Sequence, residues 1–225
     1  MLAKQEPKNQ LTMRTALLLA ATCTLISVQA QLFDLGPADP EGFELNGLNE
    51  RPTQVLSGAQ GGEDNTQGGI SYDPVTEVLD VNIIWGAHTD NMRGGEMGTP
   101  LSSAFTVAHI HGPAGTEGSA TPLYDLTTGF SPGDSEGGRT GFIGIPVQLV
   151  DDPMGSGFTV EDQIEQLFGG QWYINVHSVD FGGGEIRGQL IAVPEPEHYA
   201  AFAGLALLGF AGFRRYKNGK VAATA

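Results

Sequence analysis

The stretch VLDVNIIW at residues 78–85 has the strict alternation of apolar and polar residues that predicts a half-buried β-strand. Its apolar face consists of Leu79, Val81, Ile83 and Trp85. Asp80 and Asn82 fall on the opposite face, because successive side chains of a strand point to opposite sides of the sheet. The stretch therefore predicts a strand with one face in a hydrophobic core.

Two further stretches, WYINVH at 172–177 and EIRGQLI at 185–191, alternate in the same way. The residues expected to face the core are Trp172, Ile174, Val176, Ile186 and Leu190. The residues expected to face outward are Tyr173, Asn175, His177, Glu185, Arg187 and Gln189. The intervening SVDFGGG suits a hairpin loop, and pairing of the two strands would place His177, Glu185 and Arg187 on one polar face.

Glycine-rich segments separate the short alternating stretches. They are GAQGGEDNTQGG (58–69), MRGGEMG (92–98), GDSEGG (133–138) and FGGGE (181–185). One helix is predicted over 160–168, with Thr159 as its N-cap, Asp162 three residues later and Gly169 at its end. Short strands with frequent turn signals predict an all-β fold, a Greek-key-like sandwich or barrel with long loops and one short helix.

The N-terminal residues 1–30 have the order of parts of a secretory signal peptide. A basic start precedes an apolar run over 16–28, and small residues at the end of this run fit a cleavage site. Met13 is an alternative start that would give a compact signal helix. We expect a loose lead-in linker over 31–43 and a β domain over 44–193.

The C-terminal residues 194–220 carry a second signal. Its motif and basic cluster comprise Pro194, Glu195, Pro196, Arg214 and Arg215. Between them lies an apolar run over 199–213, which predicts a transmembrane helix that spans part of a bilayer core. The basic cluster would stay on the cytoplasmic side. This order resembles the PEP-CTERM sorting signal of Gram-negative bacteria, which implies processing by an exosortase, although the tail 221–225 departs from it. A plain membrane anchor is the alternative.

The region between the two signals is strongly acidic. Over residues 31–193, four arginines and no lysines stand against 23 acidic residues, which gives a net charge of −19. Such a surface repels nucleic acid and suits an extracellular protein or one that collects cations. The one cysteine lies in the N-terminal signal, so the domain has no disulfide and depends on its core, with or without a metal.

The stretch AHIHGPAG at 108–115 places two of the chain's five histidines one residue apart. On a strand, His109 and His111 point to the same face, and the Gly-Pro that follows ends the strand. His177, on the polar face of another strand, is a third candidate nitrogen ligand. His88 is a weaker fourth candidate. Three histidines with one open position form a familiar type of metal site.

The histidine-bearing segments resemble the CHRD domain, which is named for chordin and occurs in many exported bacterial proteins. The resembling blocks are LNGLNERPTQVLSGAQG (45–61), HIHGPA (109–114), NVH (175–177) and GGEIRGQ (183–189). The first block departs from the family at Arg51 and Thr53, where the family usually has a Val-Pro-Pro run. The resemblance implies an extracellular β domain over about 44–191 with no settled biochemical activity.

Two interpretations of His109, His111 and His177 are open from sequence alone. In the structural interpretation they hydrogen-bond the glycine-rich loops, and Glu185 forms a partly buried ion pair with Arg187. In the metal interpretation they share one copper or zinc ion, with Glu185 and Arg187 at the rim of the site or in its second coordination sphere. The metal site would be similar in kind to that of Cu,Zn superoxide dismutase, but the chain lacks that enzyme's disulfide and an obvious bridging histidine.

These observations predict an exported, non-catalytic module that acts by binding at the cell surface or in the extracellular matrix. The expected partners are an exosortase-type processing enzyme, extracellular polysaccharide or surface proteins, and the inner membrane transiently through the C-terminal helix. The alternative function is a superoxide dismutase-like copper or zinc metalloprotein that uses the three histidines.

Overall fold

The computed structural model describes most of the chain between the two terminal segments. The described residues are 29–38, 43–86, 98–133, 137–194, 204–211 and 213–214. Residues 1–28 of the predicted signal peptide lie outside this part of the chain, as do His88 and the sorting-motif residues Glu195, Pro196 and Arg215.

The described part of the domain is built of eleven β-strands and one α-helix, α1. The strands are β1 (Gln31–Gly36), β2 (Leu45–Asn46), β3 (Gln60–Glu63), β4 (Ile70–Asp73), β5 (Val78–Trp85), β6 (Phe105–His111), β7 (Pro122–Asp125), β8 (Phe130–Pro132), β9 (Gly141–Gln148), β10 (Tyr173–Ser178) and β11 (Ile186–Ala192). The helix α1 spans Val160–Phe168. The strands predicted at 78–85, 172–177 and 185–191 are confirmed to within one residue.

All strand pairings are antiparallel, and they connect the strands into one sheet. One part follows the order β7–β6–β10–β11, and another follows β5–β9–β8. The short strands β1 and β2 pair with successive parts of β11, while β4 and β3 pair with successive parts of β5. Because β1 also pairs with β4 and β2 with β3, the two parts join. The sheet folds over a single core, which confirms the predicted all-β sandwich.

The nine residues predicted to face the core are fully buried in one apolar cluster. They are Leu79, Val81, Ile83, Trp85, Trp172, Ile174, Val176, Ile186 and Leu190. The ring of Trp85 stacks on that of Phe130 at a centroid distance of 5.7 Å and lies 5.5 Å from that of Phe105. Burial of each large apolar side chain contributes about 1.5–3 kcal/mol, so these positions fix which face of each strand points inward.

Helix α1 begins with the capping box that its sequence predicts. The hydroxyl of Thr159 accepts a hydrogen bond from the Asp162 amide at 3.2 Å, and the Asp162 carboxylate accepts one from the Thr159 amide at 2.9 Å. The helix ends at Gly169. Its last residue, Phe168, packs edge-on against Phe33 at 5.6 Å, so α1 covers the end of the sandwich beside β1.

The prediction of a loose lead-in over 31–43 is wrong for its first six residues, which form β1. Phe33 and Leu35 of this strand are buried in the core, whereas Leu32 on its outer face is half exposed. Because an apolar residue occupies the outer face, the strand lacks the clean alternation of apolar and polar residues that would reveal it in the sequence.

The polar side chains of β10 and β11 lie outside the apolar core cluster, as predicted, but their face of the sheet is buried and not open to solvent. Tyr173, Asn175 and His177 have at most 7% of their surface exposed, and Glu185 and Arg187 have at most 1%. The loop that follows β6 lies over the face and is hydrogen-bonded to Arg187. Strand parity predicted which side chains share a face, but it carries no information about a covering loop.

The C-terminal segment is helical over residues 204–211, where most side chains are exposed. Among the residues that the structure describes, it contains no helix both long and apolar enough to span a membrane.

Candidate metal centre

His109, His111 and His177 lie on one face of two paired strands. Strand β6 carries the first two, and β10 carries the third. The antiparallel register places His109 opposite Asn175 and His111 opposite Tyr173. Neighbouring strands lie about 5 Å apart, and alternate residues stand side by side along each strand, so this register brings the three imidazoles together.

The three rings form a compact triangle. The ring centroid of His109 lies 5.5 Å from that of His111 and 5.3 Å from that of His177, and the remaining distance is 6.1 Å. One ligand nitrogen from each ring lies within 4.8 Å of the other two. A tetrahedral ion with nitrogen ligands at about 2.0–2.1 Å holds those nitrogens about 3.4 Å apart. Small ring rotations therefore convert this triangle into a ligand set.

Main-chain carbonyl groups fix the orientation of two of the rings. His111 Nδ1 lies 2.8 Å from the Ala120 oxygen, and His177 Nδ1 lies 3.0 Å from the Gly182 oxygen. A carbonyl oxygen can only accept, so each Nδ1 carries the proton and each Nε2 presents a lone pair. Such second-sphere hydrogen bonds orient histidine ligands in metal sites.

Each of the three rings has a buried nitrogen with no hydrogen-bond partner within the described part of the chain. These nitrogens are His109 Nδ1, His111 Nε2 and His177 Nε2. A buried polar atom left without a partner costs about 1–3 kcal/mol. Three such atoms in one cluster are therefore unfavourable unless something binds between them.

The histidines are held in the neutral form that binds metal. Burial lowers the pKa of all three rings, and it lowers the pKa of His111 to about 4. Asp125 opposes this effect by raising the pKa of His109, whereas the charge of Arg187 lowers the pKa of His111 further. At neutral pH no proton has to be displaced from His111 before its lone pair can bind an ion.

Glu185 and Arg187, predicted at the rim of the site or in its second coordination sphere, are both fully buried and have hydrogen-bond partners outside the three histidines. The Glu185 carboxylate accepts hydrogen bonds from the Ser102 amide at 2.7 Å and from the Ser178 hydroxyl. Arg187 donates to the carbonyl oxygens of Gly118 at 2.6 Å and Gly115 at 3.0 Å. The ion pair of the structural interpretation is likewise not observed between these two described side chains.

Arg187 reaches the cluster indirectly, through an aromatic ring. Its guanidinium carbon lies 3.5 Å from the ring centroid of Tyr173, and that ring stacks on His111 at 5.0 Å with an angle of 14° between the planes. Strand β10, which carries Tyr173, runs between β11 and β6, which carry the other two residues. The three side chains thus form a continuous layer under the loop that follows β6.

That loop, residues 112–120, is held in place by hydrogen bonds that side chains outside it make to its main chain. The Gln189 amide donates to the Ala114 oxygen at 2.8 Å, and the Tyr173 hydroxyl bonds to both the amide and the oxygen of Ala120. A bidentate ion pair between Arg51 and Glu117 joins the loop to the segment before β3. The Ala120 oxygen, which orients His111, is therefore positioned by several independent contacts.

Glu50, which alternation in the sequence does not mark, is buried and bonded to Asn175 of the same polar face. Its carboxylate accepts a hydrogen bond from the Asn175 side chain at 3.4 Å. Burial raises the pKa of Glu50 to about 7, although the nearby charge of Arg187 acts in the opposite direction. Glu50 belongs to the first block of the family resemblance, and that membership was the signal that could have marked it.

The fold and the cluster define an all-β sandwich domain with three histidines converging between two strands. The chain belongs to the CHRD domain family, which matches residues 42–190. This range runs from β2 into β11 and includes the three histidines, Glu50 and Arg187. No curated protein and no solved structure matches the chain.

Proposed function

We propose that this protein is an exported CHRD-domain module whose function is to bind a transition-metal ion, copper or zinc, through His109, His111 and His177. The proposal is carried by the three-histidine cluster itself, in which one nitrogen from each ring lies within 4.8 Å of the other two. Each ring also has a buried nitrogen that lacks a hydrogen-bond partner among the described residues. Imidazole nitrogen is a ligand that both ions favour, and three such ligands leave a position open for a fourth.

The geometry favours metal binding over a purely structural role for the histidines. A structural histidine would use both ring nitrogens in hydrogen bonds once it is buried. Here His111 and His177 each use one nitrogen to fix the ring and present the other to the cluster. The acidic surface of the domain supports the proposal further, because a negative potential raises the local concentration of cations.

A binding role is better supported than superoxide dismutase-like catalysis. That alternative drew on an arginine at the mouth of the site, where its charge would attract an anionic substrate. Arg187 is instead 1% exposed and donates to the carbonyl oxygens of the covering loop. The other described arginines have partners elsewhere, since Arg51 pairs with Glu117, Arg139 donates to the Leu101 oxygen and Arg214 lies over the Phe210 ring.

Export and sorting complete the proposed function. Residues 1–30 would direct secretion, and the segment 194–220 would hold the protein in the inner membrane until an exosortase-type enzyme processes it. The module would then remain at the cell surface or in the extracellular matrix. The basic and apolar order of both segments supports this route, and the acidic surface suits an extracellular location.

Metal titration of the full chain tests the binding proposal. We expect one copper or zinc ion per chain by elemental analysis and calorimetry, and loss of that ion in the His109→Gln and His177→Gln variants. His198→Gln is the matched control, because this histidine lies in the predicted sorting segment and should leave binding unchanged. Binding that is absent from the wild type, or that survives both cluster variants, would refute the proposal.

Sorting needs a separate test in cells. Replacement of Pro194, Glu195 and Pro196 by alanine should leave a longer, membrane-retained form, whereas deletion of 194–225 should release the protein in soluble form. Immunoblots of membrane, periplasmic and medium fractions distinguish these outcomes. If the triple-alanine variant matured and localised as the wild type does, the segment would be a plain anchor.

A further inference from the structure

The charge balance around the three histidines indicates which ion they accept. The described residues that could share an ion at this cluster are His109, His111 and His177, all neutral donors. Neither a carboxylate nor a thiolate is part of this group within the described ranges. No ligand atom would therefore neutralise the charge of a bound ion, and the carboxylate of Asp125, opposite His109 on β7, acts on the cluster only through space.

Burial makes that retained charge expensive. His111 and His177 are each 7% exposed, and His109 is only partly exposed. The cost of transferring an ion from water to a medium of low dielectric constant grows with the square of its charge, so a divalent ion loses about four times as much as a monovalent ion of equal size. Without an anionic ligand, this difference favours a monovalent ion.

A buried cation next to the cluster strengthens the same preference. The guanidinium of Arg187 lies 3.5 Å from the Tyr173 ring, which stacks on His111 at 5.0 Å. Its hydrogen-bond acceptors are main-chain carbonyls and the Gln189 side chain. Two carboxyl groups act on its charge from a distance, the exposed Glu117 and the buried Glu50, and Glu50 is half protonated near neutral pH because burial raises its pKa to about 7.

The size of this effect follows from Coulomb's law. The path from Arg187 to a bound ion runs 3.5 Å to the Tyr173 ring, 5.0 Å to the His111 ring, and then from that ring to the ion. It places the charge of Arg187 roughly 10 Å from the ion. With an effective dielectric constant of about 20, the repulsion weakens binding of a divalent ion about tenfold more than binding of a monovalent one.

We propose that the cluster is a copper(I) site, and that Arg187, acting through Tyr173, makes it discriminate against zinc(II) and copper(II). The inference rests on the proposed metal-binding function. Copper(I) is the monovalent ion that imidazole binds well, and its filled d shell tolerates three ligands without an added anion. A zinc(II) or copper(II) ion at the same nitrogens needs a fourth ligand from solvent, preferably hydroxide, to lower its charge.

Competition titrations of the full chain test this order of affinities. The protein carries Cys23→Ser, because the one cysteine is a thiol that binds copper(I) on its own. Copper(I) is titrated without oxygen against a bicinchoninate competitor, and zinc(II) and copper(II) are titrated against chelators of known affinity. We expect copper(I) to bind most tightly, with His109→Gln abolishing binding and His198→Gln leaving it unchanged.

The role of Arg187 is tested by the ratio of the copper(I) and zinc(II) dissociation constants. Arg187→Gln should shift this ratio about tenfold in favour of zinc(II), while Arg187→Lys, which keeps the charge, should restore the wild-type ratio. If Arg187 had a purely structural role, its replacement would weaken the binding of both ions equally and leave the ratio unchanged. Fluorescence of the buried Trp85 and Trp172 reports whether each variant is folded.

The outcomes separate this inference from the proposed function. If zinc(II) or copper(II) binds the wild type more tightly than copper(I), the copper(I) assignment is wrong and metal binding stands. If none of the three ions binds at one per chain, both are wrong. If Arg187→Gln does not fold, the order of affinities in the wild type still decides the assignment, and an unchanged ratio in folded Arg187→Gln overturns the role of Arg187.

Discussion

Replacement of Glu50 by glutamine should change how the stability of the domain depends on pH. Glu50 is 3% exposed, one of its carboxylate oxygens has no hydrogen-bond partner among the described residues, and burial raises its pKa to about 7. In the unfolded chain the same group titrates near 4.5. Between these pH values the folded protein binds a proton that the unfolded chain has released.

The sign and size of the effect follow from that difference. Because the folded state binds more protons, the free energy of unfolding falls as pH rises from about 4.5 to 7, by up to about 1.4 kcal/mol for each pH unit. The full loss is about 3 kcal/mol. Glutamine has the same shape and no charge to bury, so the wild type should lose about 3 kcal/mol relative to Glu50→Gln between pH 4.5 and pH 8.

Urea denaturation at several pH values measures this difference. The two tryptophans of the chain, Trp85 and Trp172, are fully buried and provide a fluorescence signal for unfolding. Taking the difference between variant and wild type removes the contribution of all other titrating groups. Glu117→Gln is the control, because Arg51 holds the pKa of this exposed carboxylate low and the difference should have the opposite sign. A Glu50→Gln difference that stays constant across the pH range would refute the reasoning.

Three further predictions concern the core, a strand-loop junction and the ligands. Ile174→Ala should cost about 2–5 kcal/mol of stability in urea denaturation, because Ile174 is fully buried. Gly184→Ala should cost at least about 1–3 kcal/mol, because Gly184 has φ +121° and its Cβ would lie 2.7 Å from the Asn175 Cγ, whereas Gly183→Ala should be neutral. Because burial lowers the pKa of His111 to about 4, the affinity for copper should fall little between pH 7.5 and pH 5.5. Three histidine ligands of ordinary pKa would instead lose roughly a thousandfold in affinity over this range.

The last of these predictions revises what the sequence suggests. With ordinary histidines, binding should weaken as soon as the pH falls below about 6.5. The structure buries His111 and His177, and this burial moves proton competition to lower pH. Calorimetric titration at pH 5.5 and 7.5 distinguishes the two expectations, and a thousandfold weakening at the lower pH would show that the cluster is open to water.

The core could be predicted from sequence because its pattern is local. Alternation along a strand shows which side chains share a face, and a large apolar residue such as Trp85 or Ile174 has one favourable side. The same rule correctly placed His109, His111 and His177 on polar faces. Strand β1 was not predicted from the sequence, because Leu32 lies on its outer face and masks the alternation.

The burial of the site could not be predicted, because it depends on contacts between residues distant in sequence. The groups that bury and orient the rings are the carbonyl oxygens of Ala120 and Gly182 and the guanidinium of Arg187. A main-chain carbonyl leaves no signature in a sequence, since every residue has one. The parity of Arg187 pointed to a polar face, but its true partners, Gly115 and Gly118, emerge only from the folded chain.

The histidine-bearing regions of the family resemblance meet in one network, and this explains why they belong together. The block 109–114 supplies His109, His111 and the start of the covering loop, and the segment 175–189 supplies His177, Arg187 and the glycine-rich turn that carries the Gly182 carbonyl. Arg187 fixes the loop, and the end of that loop orients His111 through Ala120. Loss of Arg187 would therefore act on the cluster in two ways, by removing a repelling charge and by loosening a ligand. Only the first changes the preference between ions of different charge, which is why the ratio of two affinities isolates it.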